Sequence, residues 1–317
     1  MNDMKRHLKV DNELAIVFLL VVIIGMIYFF VVNQKAFLNF FYIPVLLGAY
    51  FYGKRYGAYS AFFSVIMVFA MAYFIPETFK EKSNIEMSIS KWLDITTWGC
   101  FLIIVGYLMG ALYEKKEKYN REIKKTYQGI ITMLSLILDS VDQYTQNHSI
   151  RVAKYSEKIA KEAGLPKSEI EDIKIASLLH DLGKIGVSAE ILHKIGKLSD
   201  EEKKEITGHT GNAKDILEPV GGRVLRILPL IINHHERYDG NGYNGLLGDS
   251  VPMGAKIIAV ADVYDALTAD RPYRKALSPL EVKEEIVKGA GTHFDPEVVK
   301  YFENVFPTLE IEEPVLT

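Results

Sequence analysis

The spread of apolar residues restricts this chain more than any other feature. Uncharged runs cover 14–32, 36–52 and 56–75, and a fourth run, 92–113, is broken only by Asp94. At about 1.5 Å per residue, runs of this kind are long enough to cross a bilayer. The second is the shortest and contains Asn39 and Pro44. Beyond Tyr113 charged residues return throughout. The pattern predicts an N-terminal region of four transmembrane helices, residues 1–113, followed by a water-soluble domain.

Lys5, Arg6 and Lys9 before the first run resemble the positive end of a signal peptide. The run is too long for a signal core, and Asn33-Gln34-Lys35 follows it where small residues would mark cleavage. We read it as a retained span. Together with Lys54, Arg55, Lys115, Lys116 and Lys118, these cations place both termini and the soluble domain of a multi-pass membrane protein in the cytoplasm. The connection around Asn33 and the segment Pro76–Lys91 then face outward. Tyr28, Tyr73, Trp92 and Tyr113 stand near the run ends, where interface aromatics belong. Neither outer connection is long enough for a folded sensor, so the region is an anchor or senses within the bilayer and its short loops. Asp94 lies near the outer end of its span, facing the headgroups or serving a function there.

Residues 114–125 form a charged linker helix that continues into the soluble domain. Ile123, Tyr127, Ile130, Leu134, Ile137 and Val141 recur at alternating spacings of four and three, a heptad seam. The seam serves a parallel homodimer, packs on the soluble domain, or divides between the two. Residues 126–308 read as all-α. Amphipathic or apolar helices are expected over 169–180 (Ser168 as N-cap, with Glu171 three residues on), 200–217 with breaks near Gly208 and Gly211, 224–235, 255–269 and 280–288. A glycine-rich loop covers 239–248, and an acidic tail, 309–317, closes the chain.

With a net charge of −3, nothing argues for a nucleic-acid partner. The single cysteine, Cys100, excludes a disulfide framework or a thiolate zinc cluster. Any metal must be held by histidine and carboxylate, donors that suit iron, manganese, nickel or zinc. The chain has 8 histidines. His148, His180, His209, His234 and His235 each have a polar or glycine-rich context amid apolar helix. His180-Asp181 and His234-His235 are adjacent pairs that point to two ions or bracket one. Asp262 sits in the apolar run Ile257–Ala261 and beyond, where a carboxylate is costly unless metal-bound or paired with an arginine. Asp265, on the same face, is suited to orienting a ligand or a cationic side chain.

Six ordered blocks now stand out: His148-Ser149-Ile150-Arg151-Val152; His180-Asp181-Leu182-Gly183-Lys184-Ile185-Gly186; 234–243, His234 to Tyr243; Asp262 to Thr268; Arg271-Pro272-Tyr273-Arg274; and Phe294-Asp295-Pro296. Over about 126–305 the chain resembles the HD-GYP subgroup of the HD-domain metal phosphohydrolases. The resemblance implies an all-helical HD fold and hydrolysis of cyclic di-GMP to linear pGpG or GMP. It implies His148, His180, Asp181, His209, His234, His235 and Asp262 as ligands of two divalent ions, iron or manganese, with Asp181 bridging. It further implies Lys184 beside the scissile phosphate, and Tyr243, Arg271 and Arg274 as substrate contacts. Two departures matter. Tyr144 stands where some members carry a glutamate for a third metal, so two ions are expected. The namesake Gly-Tyr-Pro is Gly242-Tyr243-Asn244, which frees the loop backbone and restores an N–H at 244. That change bears on substrate preference and on contacts with a diguanylate cyclase or adaptor. Hydrolysis of another cyclic dinucleotide, or a non-hydrolytic receptor, are the alternative readings.

Overall fold

A computed structural model describes residues 18, 20–25, 38–75, 86–141, 147–194, 196–270 and 275–309. The chain divides into two compact units, Met1–Lys125 and Thr126–Thr317.

In the N-terminal unit a 3-10 turn, Leu38–Phe41, leads into α1 (Tyr42–Tyr52) and then α2 (Lys54–Phe74). The next helix, α3, is Glu86–Val141. The buried face of α2 is small: Gly57, Ala61, Ser64, Val68 and Ala72. Its outward face is large and apolar, with Tyr59, Phe62, Phe63, Tyr73 and Phe74 exposed. That is the reverse of a water-soluble helix and the pattern of helices packed within lipid. Gly53 and Gly57 sit four apart at the start of α2, and Gly106 and Gly110 sit four apart on α3. A Cβ at Gly57 would lie 2.5 Å from the Gly106 carbonyl oxygen, and one at Gly106 would lie 2.7 Å from that of Gly57. Only glycine permits this approach. Glu114 of α3 accepts the Lys54 backbone N–H at 3.0 Å, satisfying a free donor at the start of α2.

Lys54–Phe74 and Lys91–Ser140 are long and apolar enough to cross a membrane, and Leu38–Tyr52 is a shorter apolar helix. Most of the first expected span, with Tyr28, and the outer segment 76–85 lie outside the described residues.

The C-terminal unit is all-helical among the described residues, and an isolated bridge joins Ala290 to Phe294. Its helices are α4 (His148–Glu162), α5 (Lys167–Leu179), α6 (Ala189–Leu192), α7 (Asp200–Thr207), α8 (His209–Leu217), α9 (Val224–Ile232), α10 (Met253–Thr268), α11 (Pro279–Lys288) and α12 (Pro296–Leu309). The centre of the core is α10, with Ala255, Ile257, Ile258, Val260, Ala261 and Tyr264 buried. A helix apolar on nearly every side must be enclosed. It packs on α4 and α12, where Tyr264 meets Tyr155, Phe302 and Phe306 at ring separations of 5.1, 5.4 and 6.2 Å.

Several boundaries differ from the sequence reading. The helix expected from 169 begins at Lys167 behind Pro166, and Ser168 falls in its first turn. Pro166 lacks an N–H, yet its carbonyl accepts Ile170 N at 3.0 Å, so it ends the preceding loop without a side-chain cap. The 200–217 stretch divides at Gly208, whereas Gly211 lies inside α8. The helix expected over 224–235 ends at Ile232, because Asn233 leaves helical geometry.

Of the readings for the heptad seam, docking of the whole stripe on the soluble domain does not hold. Ile131, Ser135, Leu138 and Asp139 are the buried residues of the last turns of α3, with Tyr127 packed against the same core. Ile123, Ile130, Leu134 and Ile137 are exposed. The docking face is thus offset by one residue, about 100° around the helix, from the stripe the spacing singled out. The side chain of Val141 and the tail from 310 lie outside the described residues.

Candidate metal centre

The metal-ligand candidates sit at helix ends, with one exception. His148 opens α4, His209 opens α8, His180-Asp181 follow α5 and His234-His235 lie beyond α9; Asp262 is in the middle of α10. Helix ends carry backbone groups without intrahelical partners, and three histidines use them. His180 Nδ1 lies 2.8 Å from Ser177 O, His209 Nδ1 2.7 Å from Ile206 O, and His234 Nδ1 2.6 Å from Ile231 O. A carbonyl only accepts, so each Nδ1 carries the proton and each Nε2 keeps its lone pair. All three Nε2 atoms are buried and have no hydrogen-bond partner. Buried acceptors are rarely left so, and divalent cations would satisfy them.

The donors form two groups, Asp181 with His209, His234 and His235, and His148 with His180 and Asp262. Within each, one ligand atom per residue lies within 4.8 Å of the others. Asp181 spans them. Its Oδ1 is 3.9 Å from His209 Nε2, while its Oδ2 is 3.3 Å from His180 Nε2 and 4.0 Å from His148 Nε2. Lys184 Nζ sits 2.7 Å from Asp181 Oδ2. Gly183 has no room for a side chain, since a Cβ there would run into the His209 carbonyl. That close approach brings α8 against the His180-Asp181 turn.

Among the described residues Asp262 has no arginine partner, and its Oδ1 lies 3.2 Å from His148 Nε2. The arginine goes to Asp265, whose two oxygens accept from Arg151 Nε at 2.6 Å and Nη2 at 2.8 Å. Asp265 Oδ2 also holds His148 Nδ1 at 2.7 Å. Electrostatics divide the histidines. Burial opposes charge on His148, but Asp262 and Asp265 outweigh it and raise its pKa to about 10. Burial lowers His209 and His234, and lowers His235 to about 4. Burial would raise both Asp181 and Asp262, yet the neighbouring histidines, with Lys184 beside Asp181, hold both well below the usual carboxylate range. Anionic Asp181 and Asp262 thus face the neutral imidazoles of His209, His234 and His235, and His148 must shed its proton for its Nε2 to join a donor set that fits divalent cations.

The Tyr243 ring lies 4.6 Å from the His235 ring and 6.2 Å from that of His209. The loop carrying it is fastened rather than freed. Glu236, buried, accepts Asn244 N at 2.6 Å and Leu246 N at 2.8 Å. Asn244 Nδ2 reaches Ile232 O and Asn233 Oδ1, both at 3.3 Å. The N–H that proline would lack is therefore in use. Sequence reading missed Glu236; a carboxylate following His234-His235 was its one visible signal. Arg271, Arg274 and Tyr144 lie outside the described residues. Of the remaining histidines, His7 also lies outside them, His193 follows α6, and His293 stacks on Phe294 at 4.2 Å.

Residues 132–298 match the HD domain family, and the chain belongs to that family. It is 36% identical over 181 residues to 3′3′-cGAMP-specific phosphodiesterase 2 of Vibrio cholerae, covering 56% of this chain and 35% of that protein. It is 37% identical over 172 residues to a cyclic di-GMP phosphodiesterase of Pseudomonas aeruginosa, covering 54% and 41%. It is 33% identical over 180 residues to a cyclic di-GMP phosphodiesterase response regulator of Xanthomonas campestris, covering 56% and 48%. The chain thus spans less than half the length of each of these three relatives.

Proposed function

We propose that this chain is a membrane-bound, metal-dependent phosphodiesterase that hydrolyses cyclic di-GMP to linear pGpG or to GMP. The observation that carries the reading is the convergence of three buried, partnerless imidazole Nε2 atoms beside Asp181 and Asp262. His148, His180 and Asp262 would hold one divalent ion, His209, His234 and His235 a second, and Asp181 would reach both. Bound there, iron or manganese would lower the pKa of water and draw charge from phosphoryl oxygens. The chain's own groups prepare the site. Backbone carbonyls and Asp265 fix the Nδ1 protons, which leaves the Nε2 atoms as ligands. Lys184, beside Asp181, sets a cation where negative charge grows on the phosphoryl oxygens. Tyr243, part-exposed beside His235, offers a ring face to a nucleobase. On the resemblance, Arg271 and Arg274 contribute further cations to the substrate.

The large apolar residues facing outward on α2 and α3 support insertion in a membrane, and the placing of Lys and Arg between the apolar runs supports a cytoplasmic side for both termini and the HD domain. The exposed Ile130, Leu134 and Ile137 support a homodimer through α3. The Gly242-Tyr243-Asn244 loop is assigned to contacts with a diguanylate cyclase or adaptor. A second reading, hydrolysis of 3′3′-cGAMP, draws on the name of the Vibrio relative.

The test is turnover of cyclic di-GMP, 3′3′-cGAMP and cyclic di-AMP by the full chain in detergent, loaded with iron or manganese. We expect cyclic di-GMP to be linearised, and Asp181→Ala to lose at least about a hundredfold in rate. Preferential cutting of 3′3′-cGAMP favours the second reading. Binding without turnover under either metal identifies a receptor.

A further inference from the structure

Asp139 is a buried carboxylate that the chemistry above does not use. It lies in the last turn of α3 at 6% exposure. Its Oδ1 accepts Ser149 Oγ at 2.6 Å, and both its oxygens lie 3.4 Å from Ser149 N. Ser149 is fully buried and follows His148, the residue that opens α4.

The local sequence leaves that helix start unsupported. The N-cap of α4 is Asn147, whose side chain makes no capping hydrogen bond, and its first turn has no acidic residue. Asn147 is also the one non-glycine residue with positive φ among the described residues, at φ 61 and ψ 13. Asparagine tolerates this left-handed geometry better than most residues, but the surrounding structure must hold it. Asp139 supplies, from another helix, the carboxylate that an N-cap would ordinarily provide, where the helix dipole favours negative charge. His148 is then gripped twice. Asp265 orients its ring through Nδ1, and Asp139 fixes the backbone beside it.

We propose that Asp139 is a positioning residue that, through Ser149, ties the last turn of α3 to His148 and so sets the affinity of the His148–His180–Asp262 group for its ion. The inference rests on the metal-centre reading above and deepens it with a route by which a displacement of these turns would tune one ion and not the other. The route runs through α3 because Ile131 and Leu138 dock on the same core as Val152 of α4, the helix that His148 opens, so a shift of these turns moves Asp139 with them.

The test is calorimetric titration of manganese into the chelator-stripped full chain in detergent, with no nucleotide present. Wild type is expected to bind two ions. Asp139→Ala and Ser149→Ala should each weaken one ion about tenfold and leave the other unchanged. Asp139→Asn, which keeps an acceptor for Ser149 Oγ, should recover part of the loss. The double variant Asp139→Ala/Ser149→Ala should lie within about twofold of either single variant, as for two partners in one interaction. Unchanged affinities in the variants overturn the inference. So does equal weakening of both ions together with a lower melting temperature, which marks general damage. If Asp139→Ala fails to fold, Ser149→Ala decides alone. A wild type that binds no manganese overturns the metal-centre reading itself, a result distinct from variants that bind as wild type does.

Discussion

Asp265 binds His148 Nδ1 and the Arg151 guanidinium at once, from a position 1% exposed on α10. Asp265→Asn keeps the volume but removes the charge and presents an amide to one of two donors. Metal affinity should fall about tenfold while circular dichroism stays unchanged. Gly183 faces the His209 carbonyl with no space between. Gly183→Ala should destabilise the domain by about 1–3 kcal/mol, read from urea unfolding. The histidines set a pH dependence whose sign follows from their environment. Burial lowers His209 and His234, and His235 to about 4, whereas the unfolded chain takes up these protons near 6.5. Between about pH 4 and 6.5 the unfolded state binds more protons, so stability of the metal-free protein should fall as pH drops through that window. His148, at about 10 in the folded state, adds a smaller slope of opposite sign confined to the top of that window, where the unfolded imidazole is only about half protonated. Thermal melts of the chelated chain at about pH 7 and pH 5 check this, and equal melting temperatures would count against it.

Among the helices, the capping residues separate what a local signal does from what it resembles. Ser278 accepts Glu281 N and Glu281 returns to Ser278 N, a complete capping box at α11. Ser168 carries the same residue type before an acidic partner, but α5 begins ahead of it. Ser278→Ala should cost about 1 kcal/mol in denaturant unfolding, and Ser168→Ala close to nothing. In α3 two adjacent faces divide the work. Ile131→Lys on the docked face should unfold the HD domain or lower its melting temperature by several degrees. Ile130→Lys or Leu134→Lys, on the exposed stripe, should leave the melt alone and reduce self-association of the full chain by sedimentation. A chain that stays monomeric at micromolar concentration in detergent and in lipid would rule out the dimer.

For the molecule as a whole, the two units show opposite surface logic. The N-terminal unit turns small residues inward and large apolar ones outward, whereas the HD domain buries its apolar helices and exposes charge. The sequence by itself determined the apolar runs, the all-helical character, and the identity of every ligand candidate. These are legible because periodicity, glycine breaks and a carboxylate inside an apolar helix are properties of neighbouring residues. Only the tertiary structure decided which groups meet. It put His180 and Asp181, adjacent in the chain, into different ligand groups and gave Asp181 an oxygen toward each. It sent Arg151 to Asp265 rather than to Asp262, across a separation of 114 residues. It gave the backbone N–H of Asn244 to Glu236, and turned α3 by one residue from its expected face. The physical reason is common to all four. A hydrogen bond or a packed face depends on how distant helices cross, and no spacing within one helix encodes that crossing.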